Sequence, residues 1–240
     1  MLRTILNASP RVDPVAPPYA PDVQAVFDKI MPAGVPPLTL FTTLARVPRI
    51  YDRFRAGSLL DRGPVSLRHR EIVIDRTCAR CGCTYEWGVH VAFFADRASL
   101  TPEQVRATAR DDAKDAWSDE ELLLIRLVDE LHDAADISDG LWKALATAFS
   151  IAQIFELVAL VGFYHTVSFF ANGLGLQPSL TQYRLRHRVY RGVISAFHPS
   201  SRGRDIRASS AFKRDKRGIE ITVEDLASAR IPLAGAFSAL

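Results

Sequence analysis

The sequence predicts an all-α protein, an antiparallel helical bundle with an extended arm at the N-terminus and a basic arm at the C-terminus. Three observations lead there. Ser66, Thr101, Ser118 and Ser150 stand where helix N-caps are wanted, and the last three complete capping boxes with Gln104, Glu121 and Gln153. Leu124, Leu127, Val128 and Leu131 recur at i, i+3, i+4 and i+7, which puts one apolar stripe along one helix face. The body contains no comparable run of alternating apolar and polar residues, the pattern a half-buried strand requires.

Taken in order, residues 1–37 are expected to be mostly extended, because five prolines lie between Pro10 and Pro21; one short helix is expected around Val23 to Met31. The compact body is placed at 38–184. Leu38 to Ala45 and Arg49 to Ala56 read as helical pieces interrupted at Pro48, and Gly57, Gly63 and Pro64 close that section. Ser66 caps a helix expected from Leu67 to about Arg76, a loop falls at Gly82, and a second helix starts near Cys83. Thr101-Pro102-Glu103-Gln104 joins a capping box to a proline at the first helical position. The stretch 151–176 is apolar almost all round, which suits the centre of a bundle or a subunit interface; Gly173 and Gly175 end it. Residues 185–240 form a basic extension with few apolar residues, expected to depend on a partner chain for order.

Composition narrows the functional classes. A chain of 240 residues, 48% hydrophobic and 24% charged, buries a core without staples. Its three cysteines, Cys78, Cys81 and Cys83, are odd in number and clustered, unlike a secreted disulfide framework, so a reducing, cytoplasmic setting is expected. No apolar run of signal-peptide length occurs near the N-terminus. The stretch 151–176 carries Gln153, Glu156, His165 and Asn172, costly groups to expose to lipid, so no membrane partner is expected. The net charge of +3 hides an asymmetry: 11 Lys/Arg between Arg184 and Arg217 face only Asp205 and Asp215, leaving +9 there and −6 elsewhere. A basic arm without a folded reading element does not point to nucleic acid. Self-association as a dimer or trimer is expected from the apolar circumference of 151–176.

The chemistry is concentrated in residues 66–95. Cys83, Glu86 and His90 are spaced i, i+3, i+7 and project from one helix face, with Trp87 at its border. A carboxylate one turn before an imidazole can orient the ring and raise its pKa, preparing it for proton transfer near neutral pH. The same pair also serves as an ordinary helix-stabilising contact. At the first turn of its helix, Cys83 is expected to feel the positive end of the dipole, which favours thiolate. Cys78-Ala-Arg-Cys81 is a CxxC, open to a redox reading. A zinc site of Cys78, Cys81, Cys83 and His90 lacks the usual two-pair spacing, so no metal is expected.

The segment Glu71-x11-Cys83-x2-Glu86-x3-His90, with Tyr85-Glu86-Trp87-x2-His90 inside it, resembles the core signature of the carboxymuconolactone decarboxylase and alkylhydroperoxidase superfamily. The resemblance spans roughly residues 38–180 and extends more weakly to Glu156-Leu-Val and to Val161-Gly-Phe-Tyr-His165 with Asn172-Gly-Leu. The alkylhydroperoxidase branch has a cysteine where Glu86 stands, and a carboxylate cannot act as a resolving thiol. The Glu-Trp-x-x-His form is similar to the decarboxylase branch, whose members need neither redox cysteine nor cofactor. That resemblance implies an all-α fold of the family's type and a decarboxylase-like enzyme acting by proton transfer on a small lactone or cyclic acid. It implies His90 as the acid, Glu86 holding it, Glu71 completing the relay, and Cys83 in the same site. Tyr85, Trp87, Tyr164 and His165 are the candidate substrate-binding residues, although a satisfied core histidine is the plainer reading of His165. The alternatives are a thiol-dependent hydroperoxidase using Cys83, with Cys78 or Cys81 as resolving partner, and a non-catalytic helical assembly protein.

Overall fold

The computed structural model describes residues 10–177; the first nine residues and residues 178–240, which include the basic extension placed at 185–240, lie outside the described range. Among the described residues there are nine α-helices and no strand: α1 (Pro21–Ile30), α2 (Thr39–Leu44), α3 (Pro48–Ala56), α4 (Leu67–Arg80), α5 (Thr84–Phe94), α6 (Pro102–Ala107), α7 (Asp119–Ala134), α8 (Asp139–Ala148) and α9 (Ile151–Leu174).

The capping residues do what their chemistry allows. Ser66 Oγ accepts from His69 N, while Thr101, Ser118 and Ser150 form reciprocal boxes with Gln104, Glu121 and Gln153. Ser138 caps α8 in the same way by accepting from Leu141 N. Helix α4 runs four residues beyond Arg76, to Arg80, because no breaker intervenes before Gly82, whose φ of 61° makes the turn into α5. Gly175, also left-handed, terminates α9.

Helix α4 packs against α5, α7 and α9 together and is the hub of the bundle. It is buried on most of its circumference, from Arg70 through Cys78. The α7 stripe faces it: Leu124, Leu127 and Val128 are fully buried and Leu131 partly so. Burial of this kind stabilises by about 1.5–3 kcal/mol per large aliphatic side chain. Two polar clamps fix the pair of helices in register. Arg68 Nε donates to Glu121 Oε1 over 2.6 Å, and buried Arg76 donates to both carboxylate oxygens of Asp129 and to Asp111. The long helix α9 was expected at the centre or in an interface. It buries Ile154, Leu157, Leu160, Val161 and Tyr164 against the bundle but leaves Ile151, Phe155 and Phe169 on an exposed face, so the central position belongs to α4. By length and composition α9 is the one described helix that passes for a membrane span, yet its inner face is packed as a core helix.

The N-terminal segment is more closely tied to the body than an extended arm would be. Phe27 and Ile30 of α1 join the main core, Arg11 N donates to Leu174 O, and Val15 N donates to Thr42 O. A cleft of about 320 Å³ opens beside α1, lined by Gln24, Phe27, Met31, Val35 and Pro37 among others.

Candidate active site

Helices α4 and α5 meet at a tight turn and lay two polar stripes against each other. On α4 the stripe is Glu71, Asp75 and Cys78, at i, i+4 and i+7; on α5 it is Cys83, Glu86 and His90. The turn closes as Cys83 N donates to Cys78 O over 2.8 Å. All six side chains are buried, with His90 at 2%, Glu71 at 1% and Glu86 at 6% exposure, so their charges act on one another with little help from water.

His90 is held at both ring nitrogens. Its Nδ1–H donates to Glu71 Oε2 over 2.7 Å, the length of a charge-assisted bond. Its Nε2 lies 2.9 Å from the Tyr164 hydroxyl, contributed by α9, and 3.5 Å from Glu86 Oε1. When the ring is neutral, Tyr164 donates to Nε2; when it is an imidazolium, Nε2–H donates to the Tyr164 oxygen or to Glu86. Phe94 stacks on one face of the ring at 5.2 Å and Tyr164 meets it edge-on at 5.0 Å. Arg70 Nε donates to the other oxygen of Glu71 over 3.1 Å, and Arg70 Nη1 donates to Leu60 O, so the carboxylate that positions His90 is itself anchored.

The electrostatics follow from this packing. Burial is the largest influence on His90 and acts to lower its pKa, but the charges and hydrogen bonds of Glu71 and then Glu86 outweigh it and raise the pKa to about 10. Asp75, buried and beside Glu71, is pushed well above the usual carboxylate range, first by burial and then by the Glu71 charge. The Tyr164 phenol is likewise pushed well up by burial, with Glu86 and Glu71 adding to it. At neutral pH the site therefore holds an imidazolium and a neutral phenol. Glu86 Oε2 and Asp75 Oδ1 are buried without a hydrogen-bond partner among the described residues, which leaves two acceptors in the cluster with capacity to spare.

Several expectations change on contact with this geometry. Glu71, reaching across from the preceding helix, grips His90; the in-helix residue Glu86 makes the longer contact, so their roles as holder and helper are exchanged. Cys83 is the N-cap of α5, and burial drives its thiol up to about 12 despite the helix start and a bond from the Glu86 backbone. The expected thiolate is overturned, because a dipole of about half a charge does not offset full desolvation. Cys78 is likewise raised well above the ordinary thiol range, by burial first and then by the neighbouring Cys83 and Glu86. The Trp87 Nε1–H donates to Thr108 Oγ1 over 2.9 Å, while the Tyr85 hydroxyl accepts from Leu40 N over 3.0 Å. Both polar ends brace α5 against its neighbours. Tyr164 is in the site. His165, the next residue, points elsewhere, into a half-buried group with His132 and Cys81. Asp75 escaped the sequence reading, although its spacing of four from Glu71 on a capped helix was the available signal.

Comparison with known proteins adds the following. Residues 45–130, which carry Glu71, Glu86 and His90, match the sequence model of the Carboxymuconolactone decarboxylase family. The comparison with curated proteins gives no match. Among solved structures, the chain is similar to an alkylhydroperoxidase AhpD core protein, described as peroxidase-related, from Ralstonia eutropha JMP134. That likeness has a TM-score of 0.64 and 18% identity and covers 75% of this chain and 98% of that one. A peroxidase-related protein from Silicibacter sp. TM1040 gives a TM-score of 0.62 at 15% identity, over 70% of this chain and 90% of its own. The debrominase Bmp8 gives a TM-score of 0.56 at 16% identity, over 74% and 97%. At these identities the neighbours establish a shared AhpD-like helical fold, and the proteins that have it include enzymes. The segment that builds the Glu71–Glu86–His90 cluster is thus similar to the carboxymuconolactone decarboxylase family over residues 45–130, within a helical fold of the AhpD type.

Proposed function

We propose that the protein is a proton-transfer enzyme of the decarboxylase type, acting on a small lactone or cyclic acid whose carbonyl is conjugated to the carbon that loses CO2. The observation that carries this reading is the doubly bonded His90, with Glu71 at 2.7 Å on Nδ1 and the Tyr164 hydroxyl at 2.9 Å on Nε2. In such a reaction the carboxylate departs as CO2, its electron pair enters the conjugated carbonyl to give a dienolate, and a proton is delivered to carbon. The His90 imidazolium is the stored proton, Glu71 keeps it charged and oriented, and Tyr164 with Glu86 lies where the proton leaves the ring. General acid help is worth about 10²–10⁴ in rate, and the desolvated site supplies the setting in which a carboxylate is readily lost.

The thiol-peroxidase reading is the weaker one on two counts. Glu86 occupies the position of a resolving cysteine, and Cys83 and Cys78 are buried thiols held far from thiolate. The deciding experiment compares two variants with the wild type on carboxymuconolactone and related cyclic acids, and separately on an alkyl hydroperoxide with a dithiol reductant. His90→Gln is expected to lose lactone turnover by at least about 10²-fold while remaining folded by circular dichroism. Cys83→Ser is expected to keep most of it. Hydroperoxide turnover abolished by Cys83→Ser and tolerant of His90→Gln would refute the proposal.

A further inference from the structure

Away from His90, the bundle brings together three metal-binding side chains from three helices. Cys81 is the C-cap of α4, His132 lies in the last turn of α7, and His165 is on the outward side of α9 next to Tyr164. His132 Nδ1 is 2.9 Å from His165 Nε2 and 4.0 Å from Cys81 Sγ, and the three donor atoms all lie within 4.8 Å of one another. They are half-buried, neither free on the surface nor part of the core. Nothing in the chemistry proposed at His90 uses them. We propose that Cys81, His132 and His165 form a binding site for one thiophilic divalent cation, of which Zn²⁺ is the best match, with a fourth position left to water or a small ligand.

The donor set fits this ion. Thiolate and imidazole are the ligands Zn²⁺ prefers, and three protein ligands with one open position is a recurrent arrangement. In a tetrahedral site with Zn–N of about 2.0–2.1 Å and Zn–S of about 2.3 Å, two nitrogens sit about 3.3 Å apart and sulfur and nitrogen about 3.6 Å. Opening the 2.9 Å contact and closing the 4.0 Å contact by about 0.4 Å each brings those two pairs to the tetrahedral values, and the third pair, Cys81 Sγ and His165 Nε2, lies within 4.8 Å and closes on the same ion. The ring of His165 is already set: its Nδ1–H donates to Val161 O over 2.8 Å, which leaves Nε2 as a lone pair facing the cluster. A backbone carbonyl fixing the distal ring nitrogen is the usual outer partner of a metal-bound histidine. Asn172 Nδ2 donates to Cys81 O over 2.9 Å and pins the end of α4 to α9.

Ligation requires a neutral imidazole at His132 and a thiolate at Cys81. On binding, the S–H bond breaks, an S–Zn bond forms and one proton leaves to solvent; the proton shared between the two histidines moves to the outer nitrogen of His132. Asp129 and Asp133, which face His132 from its own helix, and Arg80 from α4 are the charged groups around it. The bound ion would tie the ends of α4 and α7 to the middle of α9 and stabilise the bundle by mass action.

The test uses the full chain, reduced, treated with a chelator and then freed of it. Zn²⁺ is titrated by calorimetry, and Co²⁺ is titrated as a spectroscopic stand-in. The expected result is one equivalent bound, a thiolate-to-cobalt charge-transfer band in the near ultraviolet, visible bands of tetrahedral intensity, and a rise in Tm with Zn²⁺. Cys81→Ser should abolish the charge-transfer band. His132→Gln and His165→Gln should each weaken binding by more than the roughly 10–100-fold that loss of an outer partner typically costs. Cys83→Ser should leave all of it unchanged. Should Cys81→Ser fail to fold, the two histidine variants, half-exposed on their helices, carry the same test. No binding in the wild type would leave a plain histidine pair, and a charge-transfer band surviving Cys81→Ser or lost in Cys83→Ser would place the thiolate elsewhere; each overturns the proposal.

Discussion

Replacing Glu71 with glutamine tests whether this carboxylate is what keeps His90 charged. The two oxygens of Glu71 accept from His90 Nδ1–H and Arg70 Nε–H. An amide has one oxygen, so the glutamine side chain must turn its NH₂ toward one of those donors. In the wild type the His90 pKa is raised from 6.5 to about 10, and at about 1.4 kcal/mol per unit that shift corresponds to about 5 kcal/mol of folding stability. Because the folded pKa lies above the unfolded one, this contribution is fully present below pH 6.5. It declines as pH rises from there and is gone above about pH 10. Without the Glu71 charge, burial pulls the ring back toward its ordinary pKa. At pH 8 the imidazolium fraction then falls below the roughly 99% that a pKa of about 10 gives the wild type. Long-range nitrogen–proton NMR of selectively labelled histidine reads the charge of His90 directly and needs no substrate. Denaturant unfolding at pH 6.5, 8 and 9.5 reads the stability. Since pH 8 lies about 1.5 pH units above the unfolded pKa, the wild type should lose about 2 kcal/mol between pH 6.5 and 8, and Glu71→Gln should lose less. A neutral His90 in the wild type at pH 8, or the same charge and slope in both proteins, would refute the reasoning.

Thiol reactivity gives a second measurement independent of substrate. In the native protein a small alkylating reagent should modify Cys81, half-buried, well before Cys78 and Cys83, and all three should react in denaturant; fast native labelling of Cys83, seen by mass spectrometry, would contradict its burial. The exposed face of α9, where Ile151, Phe155 and Phe169 stand at 57%, 70% and 69% exposure, is expected to be covered by a second copy of the chain. Light scattering at micromolar concentration should therefore report a dimer or trimer, with Phe155→Glu and Phe169→Glu shifting it toward monomer. A wild-type monomer would dispose of that expectation.

What could be read in the sequence was whatever is decided within a few residues of chain. A cap needs only the hydroxyl of Ser118 and the amide three residues on, so the boxes at Thr101, Ser118 and Ser150 were legible and hold in the structure. Glu71, Glu86 and His90 were legible for a related reason, since they lie on two consecutive helices joined by a turn too short to allow many alternatives. The failures share the opposite cause. Cys83 looked activated from its place at a helix start, but its acidity is set by desolvation, which comes from helices remote in the chain and pushes the thiol to about 12. The partners of Trp87 and Tyr85 were equally remote, since Thr108 and Leu40 take up their polar ends. The cluster of Cys81, His132 and His165 was out of reach altogether: its members are 51 and 33 residues apart in the chain, and no spacing rule joins them. A local motif shows which groups a site has available. Which of them is charged, which is inert and which points away from the site is decided by the packing of α4 against α5, α7 and α9. That is why Glu71, from across the turn, governs His90 more strongly than Glu86, one turn away on the same helix.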